Sequence, residues 1–112
     1  MQIKFSNKGT TLIAKIFGEL DHHSAEYTRQ KIDGEMIKSS TKNLIFDFSK
    51  LTFMDSSGIG IIMGRYKNML NLNGKVAIVC NNTQVNRVLK MCGIPRLMNI
   101  YSNLDTAISE LQ

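Results

Sequence analysis

Two short segments of this sequence are apolar at almost every position, and they constrain the fold more than any other feature. Residues 43–48 are NLIFDF, and residues 75–80 are KVAIVC. A strand with apolar side chains on both of its faces has to be covered on both sides, as happens in a parallel sheet flanked by helices. The two segments therefore predict central strands in an α/β layer structure.

The rest of the chain alternates between strand-like and helical patterns. Residues 2–5 and 11–17 favour strands, joined by a hairpin turn at Asn7-Lys8-Gly9. We expect Gly74 to end the second helix in a left-handed conformation, and Gly93 to close the third. Two helices are predicted at residues 24–38 and about 57–72. A short third helix is capped by Thr83, and a fourth is capped by Asn103 and ends near Leu111. Residues 99–101 form the last predicted strand.

The size and composition of the chain favour one domain. With 112 residues and 43% hydrophobic content, we expect a single α/β domain over residues 1–112. Its mixed sheet would have about four to five strands, packed with about four helices. No apolar run approaches the roughly 20 residues of a membrane span, and the first residues, MQIK, lack the apolar stretch of a signal peptide. The expected location is therefore the cytoplasm, without membrane contact.

Charge is unevenly distributed along the sequence. Fourteen basic and nine acidic residues give a net charge of +5, and five of the nine acids lie between positions 19 and 35. From Ser56 to Leu104 there are six basic residues and no acid. These basic residues are spread out and do not form the Lys/Arg clusters with interleaved aromatic residues that nucleic-acid binding usually shows, which argues against direct nucleic-acid binding.

Several chemical motifs are incomplete. The glycines in residues 58–64 resemble a dinucleotide-binding loop, but the third glycine comes one residue too late in the sequence. In addition, no Asp or Glu follows at the sequence spacing needed to bind the ribose hydroxyl of a dinucleotide. His22, His23, Cys80 and Cys92 do not have the spacing of zinc ligands, so no metal site and no cofactor are expected. Cys80 is better explained as part of the core.

Two further catalytic alternatives are also weak. Asp47 lies near the end of a predicted strand, as does the phosphoacceptor aspartate of a response-regulator receiver. The acidic pair that would bind magnesium is missing, however, and a helix-facing or loop-capping carboxylate is the simpler interpretation. Ser56 and Ser57 could be nucleophiles, yet no nucleophile elbow surrounds them and the histidine pair is their only candidate base. We therefore do not expect an enzyme.

The segment Asp55-Ser56-Ser57-Gly58 immediately precedes an apolar helix. Asp and Ser are capping residues. If Ser57 is the N-cap, its hydroxyl accepts from the amide of Gly60, and Ser56 lies one residue outside with a free hydroxyl. Glycines 58 and 60 would leave the surrounding surface clear for a partner, and a phosphate on Ser56 would lie beside the helix amides. The residues alone favour a plain helix cap over a regulatory switch.

The same segment carries a resemblance to a known family. Residues 53–60, FMDSSGIG, continuing to GRYK at 64–67, resemble the signature of the anti-sigma factor antagonists, which are STAS domains. Residues 18–23, GELDHH, are similar to a second block of that family, and Met91-Cys92-Gly93 falls where it has a helix-ending glycine. The resemblance covers essentially the whole chain and implies a STAS fold.

The resemblance implies a non-enzymatic switch in sporulation transcription. The unphosphorylated protein would bind an anti-sigma factor that is also an ATP-dependent serine kinase, and so free the sigma factor. The kinase would then phosphorylate Ser56, and a serine phosphatase would reverse the modification. The alternative is a constitutive STAS interaction module of a stress-signalling complex. The implied partner-binding residues are Glu19, Asp21, His22, Asp55, Ser56, Ser57, Gly58, Ile59 and Gly60.

Overall fold

A computed structural model describes residues 2–111 and begins with a β-hairpin. Strands β1 (Gln2–Lys8) and β2 (Thr11–Leu20) pair antiparallel. The predicted turn is wrong by two residues, because Asn7 and Lys8 belong to β1. The turn forms at Gly9, whose φ of 61° suits a glycine, and polar residues are tolerated at the exposed edge of a sheet. Residues 1 and 112, the ends of the predicted domain, lie outside the described residues.

The sheet is mixed and its central strands are parallel. Within residues 2–111 the strands that follow the hairpin are β3 (Asn43–Asp47), β4 (Leu51–Met54), β5 (Val76–Val79) and β6 (Ile100–Tyr101). Parallel pairing joins β2 to β3, β3 to β5, and β5 to β6, so that the order is β1-β2-β3-β5-β6. Every residue of 44–48 and 76–80 is buried, which confirms the prediction of strands covered on both faces.

Strand β4 was not predicted, since the sequence indicated a loop between residue 48 and the second helix. Its end residues are buried and its two middle residues are exposed, so it lacks the two-residue alternation that marks a strand. It pairs in parallel with the carboxyl half of β2, whereas β3 pairs with the amino half. The register shifts between Gly18 and Glu19, and Gly18 has a φ of 86°. This irregularity divides β2 between two partners.

Within residues 2–111 four helices cover the sheet, as predicted: α1 (Ala25–Lys38), α2 (Ser56–Asn71), α3 (Thr83–Met91) and α4 (Leu104–Leu111). The large core cluster contains buried residues of α1, α2 and α3 on one face of the sheet, and the smaller cluster joins α4 to the opposite face. None of the helices in residues 2–111 has the length and apolar character to cross a membrane. A short 3-10 turn lies at Ile94–Arg96.

The helix caps correct two predictions and confirm one. The N-cap of α2 is Asp55, not Ser57, and the N-cap of α3 is Asn82, not Thr83. Asp55 lies two residues before its predicted cap and Asn82 one residue before, and in both cases the side-chain oxygen accepts from an amide of the first helical turn. The prediction for Asn103 is confirmed, because its Oδ1 accepts from the amide of Thr106 at 2.9 Å.

The end of α2 also differs from expectation. The left-handed residue is Asn73, with a φ of 58°, and Gly74 does not have a positive φ. Gly74 is required for a different reason: a Cβ there would lie 2.0 Å from the carbonyl oxygen of Lys42. The prediction for Gly93 is confirmed, since its φ is 75° where α3 ends.

Candidate functional site

The two sequence blocks that suggested a function meet at one edge of the sheet. Because β2 and β4 are parallel neighbours, their carboxyl ends lie side by side, with Leu20 opposite Met54. The amide of Asp55 donates to the carbonyl of Leu20 at 3.4 Å. The turn that follows β2, which contains Asp21 and His22, is therefore adjacent to the start of α2.

Asp55 closes the amino end of α2. Its backbone is extended, with φ −118° and ψ −168°, and its Oδ1 accepts from the amide of Ser57 at 2.8 Å. The carboxylate satisfies a helix amide that would otherwise lack a partner, and its charge is favourable beside the positive end of the helix dipole. Asp55 is half-buried and has a structural role that the sequence assigned to Ser57.

Ser56 and Ser57 are the first two residues of α2. Ser56 is exposed and Ser57 is half-buried. Among residues 2–111, the hydroxyl of neither serine makes a hydrogen bond, so the expected bond between the Ser57 hydroxyl and the amide of Gly60 is absent. The two serines are therefore distinguished by exposure and not by capping.

The two glycines of the first turn have different surroundings. Gly58 is buried, and a Cβ at this position would lie 2.7 Å from Cγ of Met54 and 3.1 Å from Cγ of Leu20. The expectation that Gly58 clears the protein surface is wrong: it lets the helix pack against the ends of β2 and β4. Gly60 is exposed and a Cβ there would meet nothing within 4 Å. As contact residues, both glycines remain predictions.

Asp21 shapes the turn between β2 and α1. Its Oδ1 accepts from the amides of His23 at 2.9 Å and Ser24 at 3.1 Å, and its own amide donates to Oγ of Ser24 at 3.0 Å. Desolvation acts to raise the pKa of Asp21, but the hydrogen bonds from Ser24 and His23 outweigh it and lower the pKa from the usual 3.8. Asp21 thus stays ionised at neutral pH.

Exposed side chains surround this edge. Glu19 and His22 are exposed, and Ile59 is half-buried against the main core. Phe53 was not predicted as a site residue, although it is 45% exposed and lies opposite Glu19 in the β2–β4 pair. If β4 had been recognised as a strand paired with β2, Phe53 could have been placed beside Glu19 from the sequence. We call Glu19, Asp21, Phe53, Ser56 and Gly60 the Ser56 surface.

The other candidate residues lie away from this edge or within the core. Cys80 is 3% exposed in the main core, as predicted, and burial raises the pKa of its thiol despite a hydrogen bond that lowers it. Asp47 is buried, and its Oδ1 accepts from the amide of Ser49 at 3.0 Å, which confirms a loop-capping carboxylate. Within residues 2–111, no three metal-ligating side chains come together.

Comparison with known proteins agrees with this architecture. The STAS domain model matches residues 2–107. An anti-sigma F factor antagonist of Paenibacillus polymyxa is 36% identical over 112 residues, which are 100% of this chain and 96% of that protein. A solved structure of the anti-sigma factor antagonist SpoIIAA in its unphosphorylated form is similar at 28% identity and a TM-score of 0.83, over 97% of this chain and 95% of that one.

A second solved structure is of the Bacillus cell fate determinant SpoIIAA in its phosphorylated form. It is 27% identical with a TM-score of 0.76, over 99% of this chain and 100% of that one. The match of the family model and the identity to the Paenibacillus protein each cover nearly the whole chain. This chain therefore belongs to the STAS domain family, among its anti-sigma factor antagonists.

Proposed function

We propose that this protein is an anti-sigma factor antagonist controlled by phosphorylation of Ser56. In its unphosphorylated form it binds an anti-sigma factor that is also an ATP-dependent serine kinase, and the sigma factor is released. The kinase phosphorylates Ser56, binding is lost, and a serine phosphatase restores the active form. The observation that carries the proposal is the exposed Ser56, with an unbonded hydroxyl, at the edge where both family-like blocks meet.

The similar proteins support the biological setting that we propose. The Paenibacillus relative is named for its action on an anti-sigma F factor, and SpoIIAA has been solved in two phosphorylation states. We extend both properties to this chain, and with them a role in sporulation transcription in the cytoplasm. The protein itself performs no catalysis in this scheme and requires no cofactor.

The structure supports Ser56 over Ser57 as the phosphoacceptor. A kinase has to bring its active site and the γ-phosphate of ATP to the serine oxygen, which requires an accessible side chain. Ser56 is exposed and Ser57 is half-buried in the first turn of α2. The packing of Gly58 against Leu20 and Met54 holds this turn in place, so Ser56 is presented by a helix that the core supports.

A phosphate on Ser56 would change an edge that is already acidic. It adds nearly two negative charges at neutral pH beside Asp55, which caps the helix, and near Asp21 and Glu19. The amide of Ser57 is already bonded to the Asp55 carboxylate and is not free to bind the phosphate. The modification therefore increases the local negative charge and adds bulk to the binding surface. A loss of about 3 kcal/mol in binding free energy would weaken the complex more than a hundredfold.

The proposal is tested by incubating the protein with ATP and the anti-sigma factor kinase of the same organism, then measuring the intact mass. We expect one increment of about 80 Da, the mass of a phosphoryl group, in the original protein and in Ser57→Ala, and none in Ser56→Ala. Loss of the increment in Ser57→Ala alone would contradict the site. A stable complex without phosphate in any variant would indicate the constitutive interaction module instead.

A further inference from the structure

One face of the β1–β2 hairpin is only partly covered: the α4 cluster on that face includes Ile13 of β2 but neither Lys15 nor Phe17. Among residues 2–111, α4 packs on β3, β5 and β6, and the other three helices contribute to the core on the opposite face. Lys4, Lys15 and Phe17 lie on this face outside that cluster, because Lys4 pairs with Lys15 across the strands and Phe17 is two residues further along β2. We call these three residues the hairpin lysine patch.

The patch holds two positive charges close together. The Nζ atoms of Lys4 and Lys15 each lie 5.6 Å from the centroid of the Phe17 ring. Like charges directly opposite each other destabilise a strand pair, and the negative face of an aromatic ring attracts both ammonium groups. Within residues 2–111, no carboxylate lies within 4 Å of either Nζ. Asp47 is in register with Lys15, but it is buried and bonded to the amide of Ser49.

The outer edge of β1 adds backbone hydrogen-bonding groups to this patch. β1 is the terminal strand of the sheet, its seven residues are Gln2–Lys8, and β2 is its partner on one side. On the other side, alternate N–H and C=O groups point away from the sheet. Such an edge accepts an extended polypeptide as an additional strand.

We propose that the hairpin lysine patch and the free edge of β1 bind an acidic, extended segment of a protein partner. Backbone hydrogen bonds along β1 hold the segment, and its carboxylates meet Lys4 and Lys15, which relieves the repulsion between the two lysines. A groove lined by Gln2, Phe17, Glu19 and Asp21, of about 440 Å³, leads from the patch to the Ser56 surface. One partner can therefore occupy both surfaces, with acidic side chains on the patch and basic side chains on Glu19 and Asp21.

The chemistry of the patch disfavours two other occupants. Two lysines are few for a nucleic-acid footprint, and their ammonium groups lie over the Phe17 ring that a base would stack on. A second copy paired antiparallel through β1 would bring Lys4 and Lys8 of one copy near the same residues of the other. Like-charge repulsion opposes that arrangement.

The test is a titration of the ¹⁵N-labelled protein with a synthetic peptide in which glutamate alternates with valine, monitored by NMR. We expect the largest shifts at β1, Lys15 and Phe17. Lys4→Glu/Lys15→Glu should weaken binding about tenfold, because two charge pairs become repulsive. The control Lys42→Glu/Lys75→Glu changes the net charge equally at exposed positions preceding β3 and β5, and should weaken binding less than about twofold.

Several results would overturn this inference. They are the absence of shifts, shifts centred on another surface, equal weakening by both double variants, tighter binding of an oligonucleotide at the same residues, and self-association through β1. Thermal unfolding of Lys4→Glu/Lys15→Glu checks that the variant folds. Lys4→Gln/Lys15→Gln removes the charges without reversing them, and it should give an intermediate affinity.

Discussion

The two ends of α2 are attached to the sheet in different ways. At the carboxyl end, Gly74 approaches the backbone carbonyl of Lys42, and a Cβ there would lie 2.0 Å from that oxygen. At the amino end, Gly58 approaches the side chains of Leu20 and Met54, with the nearest distance 2.7 Å. The backbone of Lys42, directly before β3, cannot easily move, whereas side chains can change rotamer. The end that presents Ser56 is therefore held by the more adjustable contact.

The largest effect should come from Gly74→Ala. The added methyl group overlaps the carbonyl oxygen of Lys42, so β3 or the end of α2 has to shift, and we expect the free energy of unfolding to fall by about 3 kcal/mol or more. Urea denaturation measures this loss. Gly64→Ala is the control, because a Cβ there meets nothing within 4 Å. If Gly74→Ala were as stable as Gly64→Ala, the backbone contact would have no role.

A smaller loss is expected from Gly58→Ala at the other end. The side chains of Met54 and Leu20 can partly yield, so we expect a cost of about 1–3 kcal/mol. Gly60→Ala is a matched change two residues on, in open space, and it should raise stability by up to about 1 kcal/mol because alanine favours a helix. A loss for Gly58→Ala equal to that of Gly74→Ala would remove the difference between the two ends.

The cap of α2 offers a further comparison within the amino end. Asp55→Ala should lower the free energy of unfolding by about 1 kcal/mol, since the Ser57 amide loses its partner. Ser57→Ala should change it by no more than about 0.5 kcal/mol, because its hydroxyl makes no bond in the described structure. The thermal unfolding temperatures of the two variants show whether Asp55 or Ser57 caps the helix. A larger loss for Ser57→Ala would restore the interpretation based on the sequence.

The smallest effect concerns the acid sensitivity of the β2–α1 turn. The pKa of Asp21 is lowered on folding because the hydrogen bonds from Ser24 and His23 outweigh desolvation. Its contribution to stability is therefore present above the unfolded pKa, near 3.8, and is lost as the pH falls through the lower folded pKa. Asp21→Asn should be less stable than the original protein at pH 6, and the difference should shrink below pH 3.8. A difference independent of pH would contradict this assignment.

The sequence was sufficient to predict the layers of the fold but not the details of the site. Residues 43–48 and 75–80 are apolar at almost every position, so the burial of residues 44–48 and 76–80 in a parallel sheet could be predicted from composition alone. Strand β4 could not, because its middle residues Thr52 and Phe53 are both exposed. Without β4, nothing in the sequence pattern places Asp21 beside Asp55.

The caps were mispredicted for a related reason. Asp55 and Ser57, like Asn82 and Thr83, are all residues that can cap a helix, and the sequence does not say where the helical backbone begins. In α2 that point is set by the end of β4 and by the packing of Gly58 against Leu20 and Met54. These are tertiary contacts, so local propensity could not select between Asp55 and Ser57.

The affinity of the anti-sigma factor kinase for this protein in its two phosphorylation states is the most direct test of the proposed switch. Isothermal titration should show that the original protein and Ser56→Ala bind equally well. The protein phosphorylated on Ser56 should bind at least about a hundredfold more weakly, and Ser56→Asp should also bind poorly. Ser57→Ala serves as the control and should bind like the original protein. Equal affinities of the phosphorylated and unphosphorylated forms would contradict the central claim that Ser56 switches this surface.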